Sequence, residues 1–149
     1  MIILINNNTI LISKKDKEIF SKNNWAVNKA GYVYRRNKSK TMLLHREIMA
    51  PIEKNMVVDH INGNKLDNRR INLRICTHAQ NMANSKMRKN NQSGYRGVYW
   101  NKEKSKYQVG ITIDKKVLYL GRFYDIKKAA EAYDKAAILQ YGNFAVTNF

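Results

Sequence analysis

Cysteine and proline each occur once, as Cys76 and Pro51. A single cysteine excludes an intramolecular disulfide and every zinc site built on a cysteine pair, and the expected location is intracellular. Acidic side chains are scarce as well: 11 Asp and Glu face 28 Lys and Arg, giving a net charge of +17 and a pI near 10.1. A chain so unbalanced repels itself unless it meets a polyanion, and nucleic acid is the leading partner. No apolar stretch approaches 18 residues, and the opening MIILINNNTILIS has no basic segment ahead of its apolar run. Neither a signal peptide nor a membrane span is therefore expected, and no amphipathic basic helix stands out to hold a membrane surface. What is present suffices for folding: 44% apolar and 10% aromatic residues over 149 positions make one medium domain or two small ones.

Along the chain, residues 1–85 read as a scaffold followed by a polar, loop-rich segment. The run GYVYRRNKSKTMLLHREIM suggests a strand, a basic turn at 35–40 and an apolar element ending before Pro51. Then VVDHINGNKLDNRRINLRICTHAQN crowds Asn, Asp and Arg between two short apolar runs. It reads as a strand at 56–61, a long loop, a strand at 73–77 and a helix at 78–85. Residues 86–94 lack periodicity and are basic, which marks a linker.

Residues 95–149 give the clearest pattern. GVYW, KYQVGITI and VLYLGRF are three strand-like runs, with a tight connection at 114–116. A helix follows, with Asp125 as N-cap, an apolar face of Ala129, Ala130, Tyr133, Ala136 and Ala137, and Gly142 as its stop. Small alanines let the helix lie close to one sheet face, leaving the other free. That free face carries Gln108, Thr112 and Tyr119, flanked by Arg96, Lys102, Lys104 and Lys106, with Trp100 at a strand edge. The motifs YRGV, LGRF, AAEAYDKAA and the terminal NF resemble an AP2-type DNA-binding domain. The resemblance implies that the sheet enters the DNA major groove. By position, Arg96, Tyr99, Asn101, Lys106, Gly110, Thr112 and Tyr119 fall where plant members contact bases or phosphates. Tyr99, Asn101, Gly110 and Thr112 replace residues usually charged there, so the plant target sequence does not transfer.

The polar segment resembles the HNH endonucleases of phage and intron-encoded homing type, through Asp59-His60, Asn72 and Asn81. Hydrolysing a phosphodiester needs an activated water and neutralisation of charge on the phosphoryl and leaving oxygens. His60, with an imidazole that titrates near neutrality, is the candidate base. Adjacent strand residues point to opposite faces, and the family resolves this at the strand's irregular end. Asp59 and Asn81 then supply two oxygen ligands, which suit a single Mg²⁺ or Mn²⁺. Asn72 bonds across the loop and steadies the His60 backbone. Arg69, Arg70 and Arg74 are candidates to hold the phosphates of the cut strand. His45 and His78 stay outside the catalytic set.

The expected fold is α+β: a ββα-metal nuclease domain in residues 1–85, the 86–94 linker, and an AP2-like sheet and helix. The expected activity is metal-dependent cleavage of double-stranded DNA. One site per chain nicks one strand, so a double-strand break needs a homodimer on DNA or sequential cuts. A non-catalytic DNA-binding regulator on a relic nuclease fold is the alternative, and a ribosomal-type RNA-binding protein explains the charge but not the Asp-His-Asn pattern.

Overall fold

The computed structural model describes residues 1–85, 87, 90–113 and 116–149. Residues 114 and 115 of the expected tight connection, and 86, 88 and 89 of the expected linker, lie outside the described residues. The architecture is α+β, with small sheets and few helices, and the chain forms two compact units, Met1–His78 and Ala79–Phe149. Among the described residues no helix is long and apolar enough to cross a membrane.

In the first unit, β1 (Ile2–Ile5) and β2 (Asn8–Ile12) form an antiparallel hairpin. Its turn is Asn6-Asn7, with φ of 45° and 63°. Two left-handed residues make a turn whose twist matches the hairpin, and Asn tolerates that conformation best among residues with a side chain. A second sheet follows, ordered β3 (Ala26–Val27), β4 (Val33–Asn37), β5 (Lys40–Leu43). The basic turn is shorter than the sequence suggests. Arg35 to Asn37 belong to β4 and Lys40 to β5, because Arg35 is paired with Glu47 at 2.6 Å and lies over the Trp25 ring. Two short helices, α1 (Lys17–Ser21) and α2 (Leu44–Met49), lie to either side of that sheet in the chain.

The polar segment builds β6 (Met56–His60), β7 (Asp67–Asn68) and β8 (Leu73–Thr77), followed by α3 (His78–Ala83). Strands β6 and β8 pair antiparallel, while β7 leaves them and pairs parallel with β2, placing Asn68 opposite Ile12. Ile10, Ile12, Trp25, Val33, Leu44, Ile48, Val58 and Leu73 close one core around these pieces. Ile10 and Ile12, alternate residues of β2, and Val58 of β6 face it.

In the second unit the sheet order is β11 (Lys116–Phe123), β10 (Lys106–Ile113), β9 (Val98–Asn101), all antiparallel. Helix α4 (Ile126–Tyr141) covers one face, with Ala129, Ala130, Tyr133 and Ala137 buried. Asp125 caps it by accepting the Lys127 and Lys128 amides, which hold its carboxyl below the usual range. The buried Asp134 carboxylate accepts from the backbone and side-chain amides of Asn148, and Asn148 Oδ1 accepts from Arg96 N at 2.7 Å. Asn148 is thereby tied to the segment that leads into β9.

Gly97 and Gly94 share a φ of 73°, but only Gly97 is enclosed: a Cβ there would lie 2.0 Å from Tyr133 Cδ2, while one at Gly94 meets nothing within 4 Å. Both alanine variants carry left-handed strain of roughly 1 kcal/mol, and Gly97→Ala adds an overpacking cost of about 1–3 kcal/mol. Chemical denaturation of the two variants should therefore rank Gly97→Ala well below Gly94→Ala. Equal losses would remove the close approach as the cause.

Candidate active site

Pairing between β6 and β8 stays regular to the end, with Asp59 opposite Arg74 and His60 opposite Leu73. The two side chains therefore lie on opposite faces of this two-stranded ribbon. Asp59 shares its face with Val57 and Cys76, and His60 shares the Val58 face that looks into the core. Both residues are buried. The Asp59 carboxylate accepts from Arg74 Nε at 3.1 Å, and the second guanidinium nitrogen is 3.0 Å away.

Apart from the short pairing of β7 with β2, the loop from Ile61 to Asn72 is held largely by side chains. Asn72 Nδ2 donates to Asn62 Oδ1 at 3.0 Å and to the Asp67 carbonyl at 2.8 Å, while its Oδ1 accepts the Asn62 amide at 3.1 Å. Ile61 N donates to the Asn72 carbonyl, so the loop closes one residue beyond His60. Asn62 Nδ2 and Arg69 both donate to the buried Asp67 carboxylate, and Arg69 chiefly holds that carboxyl below its usual range. Asn64 adds a local turn by accepting from Leu66 N.

The His60 ring meets Asn68, His45 and Tyr32. Its Nε2 lies 3.3 Å from Asn68 Oδ1, its centroid is 4.9 Å from that of His45 in an edge arrangement, and Tyr32 is at 6.2 Å. Lys65 Nζ sits over the Tyr32 ring at 4.3 Å, completing the group. Burial lowers the His60 pKa, opposed by the Asn68 contact and the Asp59 and Asp67 carboxylates. His45 is 3% exposed, its Nδ1 has no hydrogen-bond partner among the described residues, and burial, reinforced by His60 and Arg46, pushes its pKa down to about 3.

The family model described as HNH endonuclease matches residues 48–83, which carry Asp59, His60, Asn72 and Asn81. An uncharacterised HNH endonuclease of Acanthamoeba polyphaga mimivirus is 35% identical over 136 residues, covering 87% of this chain and 69% of that protein. The chain belongs to the HNH endonuclease family. Protein 3.8 of Escherichia phage T7 is 38% identical over 66 residues, 44% of this chain and 54% of that protein, so the chain spans about half of that relative. The AP2-like ethylene-responsive transcription factor ANT of Arabidopsis thaliana is 47% identical over 57 residues, 37% of this chain and 10% of the plant protein.

In this HNH family member Arg69 and Arg70 of the loop and Arg74 of β8 are engaged with carboxylates. Arg69 pairs with Asp67 at 2.6 Å, Arg70 with Asp16 at 2.8 Å and Arg74 with Asp59 at 3.0 Å. Asp16 and Asp67 are almost fully buried, so Arg69 and Arg70 neutralise charges that the core could not otherwise hold. Asn81 stands half-buried on α3, and His78 is exposed at that helix's start.

The sheet of the second unit brings most of its expected contact residues to one face. Cross-strand register places Tyr99, Asn101, Lys106, Gln108, Gly110, Thr112, Val117, Tyr119 and Arg122 together, with Asn101 Nδ2 donating to Gln108 Oε1 at 3.0 Å. Trp100 lies on the opposite face, edge-on to its partner Tyr107 at 4.9 Å. Lys102 and Lys104 are exposed in the β9–β10 turn, and Arg96 is half-buried beside Asn148. Arg122 escaped the sequence reading because strict alternation puts it opposite Tyr119. A bulge at Leu120 shifts the register, and Arg122 sits 5.7 Å from the Tyr119 ring. A glycine inside the LGRF strand run was the available signal.

Arg70→Ala leaves the buried Asp16 carboxylate without its cation and should cost about 3 kcal/mol in urea unfolding. A change within about 0.5 kcal/mol would return Arg70 to a purely surface role. The buried histidines set a second expectation. With the folded His45 value near 3 and the unfolded value near 6.5, the unfolded chain binds a proton that the folded chain does not. The stability this contributes is complete above pH ~6.5 and falls as pH drops, by about 1.4 kcal/mol per unit. Thermal melts between pH 6.5 and 4.5, above the carboxylate range, should show a shallower loss for His45→Phe than for wild type. Parallel slopes would contradict the assignment.

Proposed function

We propose that this chain is a metal-dependent DNA endonuclease of homing type, a ββα-metal nuclease joined to an AP2-like sheet. The observation that carries the reading is the family match across Asp59, His60, Asn72 and Asn81, together with a His60 ring held on several sides. His60 takes the proton of the attacking water, and Asn72 keeps the loop closed behind it. Asp59 offers a carboxylate oxygen from the other face of the ribbon, and Asn81 an amide oxygen. Among the described residues no three His, Cys, Asp or Glu side chains converge on a metal site. A carboxylate with an amide is a hard, oxygen-only donor set, which would fit Mg²⁺ or Mn²⁺, and the Asp59 carboxylate also pairs with Arg74. When bound, the ion neutralises phosphoryl charge and stabilises the leaving 3′-oxygen.

The free sheet face docks in the major groove, where Asn101, Gln108 and Arg122 offer base-edge hydrogen bonds and Tyr99, Thr112, Val117 and Tyr119 offer apolar contact. Lys102, Lys104, Lys106 and Arg96 meet phosphates. Trp100 supports this face from behind through Tyr107. One site per chain cuts one strand, and two chains on one DNA site produce a double-strand break.

Nicking of supercoiled plasmid and of a degenerate duplex library tests this, with wild type and His60→Ala in Mg²⁺, Mn²⁺ and EDTA. Divalent-dependent nicking should fall by at least 10²-fold in His60→Ala while duplex binding survives. Tight binding without cleavage of either substrate in any metal would instead favour a DNA-binding regulator. Binding should also weaken with salt, at about −0.9 per neutralised phosphate in log K against log salt. A flat response would contradict docking through the basic sheet.

A further inference from the structure

Asn68 has no place in the chemistry described so far, yet it is fully buried and touches the candidate base. Its amide has two chemically different ends, and its surroundings decide which is which. One end lies 3.2 Å from the Lys65 backbone carbonyl. A carbonyl oxygen only accepts, so this end is the NH₂ group, and the other end, facing His60 Nε2 at 3.3 Å, is the oxygen. An amide oxygen also only accepts. A neutral imidazole nitrogen set against it therefore carries the hydrogen, which makes Nδ1 the basic nitrogen.

The amide is itself held. Asn68 sits in β7 opposite Ile12, with no exposed surface, so it cannot turn over without leaving the Lys65 carbonyl unpaired. The His60 ring is constrained on its other sides by the edge contact with His45 at 4.9 Å and by Tyr32 at 6.2 Å. We propose that Asn68 is a positioning residue for His60, fixing the imidazole in one plane and in the Nε2–H tautomer so that Nδ1 faces the proton to be removed. The proposal rests on His60 acting as the base. It adds that a residue recruited by β2, far away in the sequence, selects which nitrogen works.

Long-range ¹H–¹⁵N correlation spectra of the full, metal-free chain above pH 7 test it, with His60 assigned by the resonances lost in His60→Ala. Wild type should show His60 as the Nε2–H tautomer with one pyridine-like Nδ1, and Asn68→Ala should give averaged shifts of both tautomers. In plasmid nicking, Asn68→Ala should lower kcat about 10- to 100-fold with KM for DNA changed less than about twofold. Asn64→Ala loosens the same loop at its Leu66 turn without touching His60, and should leave both the tautomer and kcat as in wild type. An Nδ1–H tautomer in wild type, an unchanged tautomer in Asn68→Ala, or an equal kcat loss in Asn64→Ala would overturn the proposal. Absence of nicking by wild type would instead sink the nuclease reading, while the tautomer spectra still decide the role of Asn68.

Discussion

The bond from Asn72 Nδ2 to the Asp67 carbonyl, with its companions to Asn62, is the constraint on which the first unit depends. It closes a polar loop whose one short strand, β7, pairs with β2. Each such bond contributes only about 1 kcal/mol net, but losing one leaves buried donors or acceptors unpaired at about 1–3 kcal/mol each. The network is therefore all-or-none in practice, since Asn62 serves both Asn72 and Asp67. Because β7 brings Asn68 to His60, the loop's closure and the setting of the candidate base are one structural event.

The distribution of charge follows a related logic. Acidic residues are few, and Asp16, Asp59, Asp67 and Asp134 are all buried. The first three each hold an arginine, and Asp134 holds the backbone of the terminal Asn148 and Phe149. Carboxylates are thus used to organise the interior, which leaves lysines over the outside with little to offset them. Arg69, Arg70 and Arg74, expected from sequence to hold phosphates, are the partners of three of these carboxylates.

Much of the second unit was legible in the sequence because its signals are local. Alternation in KYQVGITI, the Asp125 cap, the alanine face and the Gly142 stop each act over a few residues and recur in the structure. The strand, loop, strand and helix order of the polar segment was legible too, though α3 ends at Ala83, two residues early. The unread features depend on distant partners. Asn68 escaped notice because nothing nearby in the sequence shows that β2 will pair with it. His45 stayed outside the catalytic set because its contact with His60 arises only when α2 meets β6. Arg122 needed the bulge, and the loop arginines needed the positions of Asp16 and Asp67.

The chemistry at His60 is tested most directly by the ends left on cut DNA. Attack of a water deprotonated by His60, with the 3′-oxygen leaving, yields a 5′-phosphate and a 3′-hydroxyl, and DNA ligase should reseal such nicks without prior phosphorylation. Nicks bearing a 5′-hydroxyl and a 3′-phosphate would contradict the account, since that outcome requires the opposite oxygen to leave.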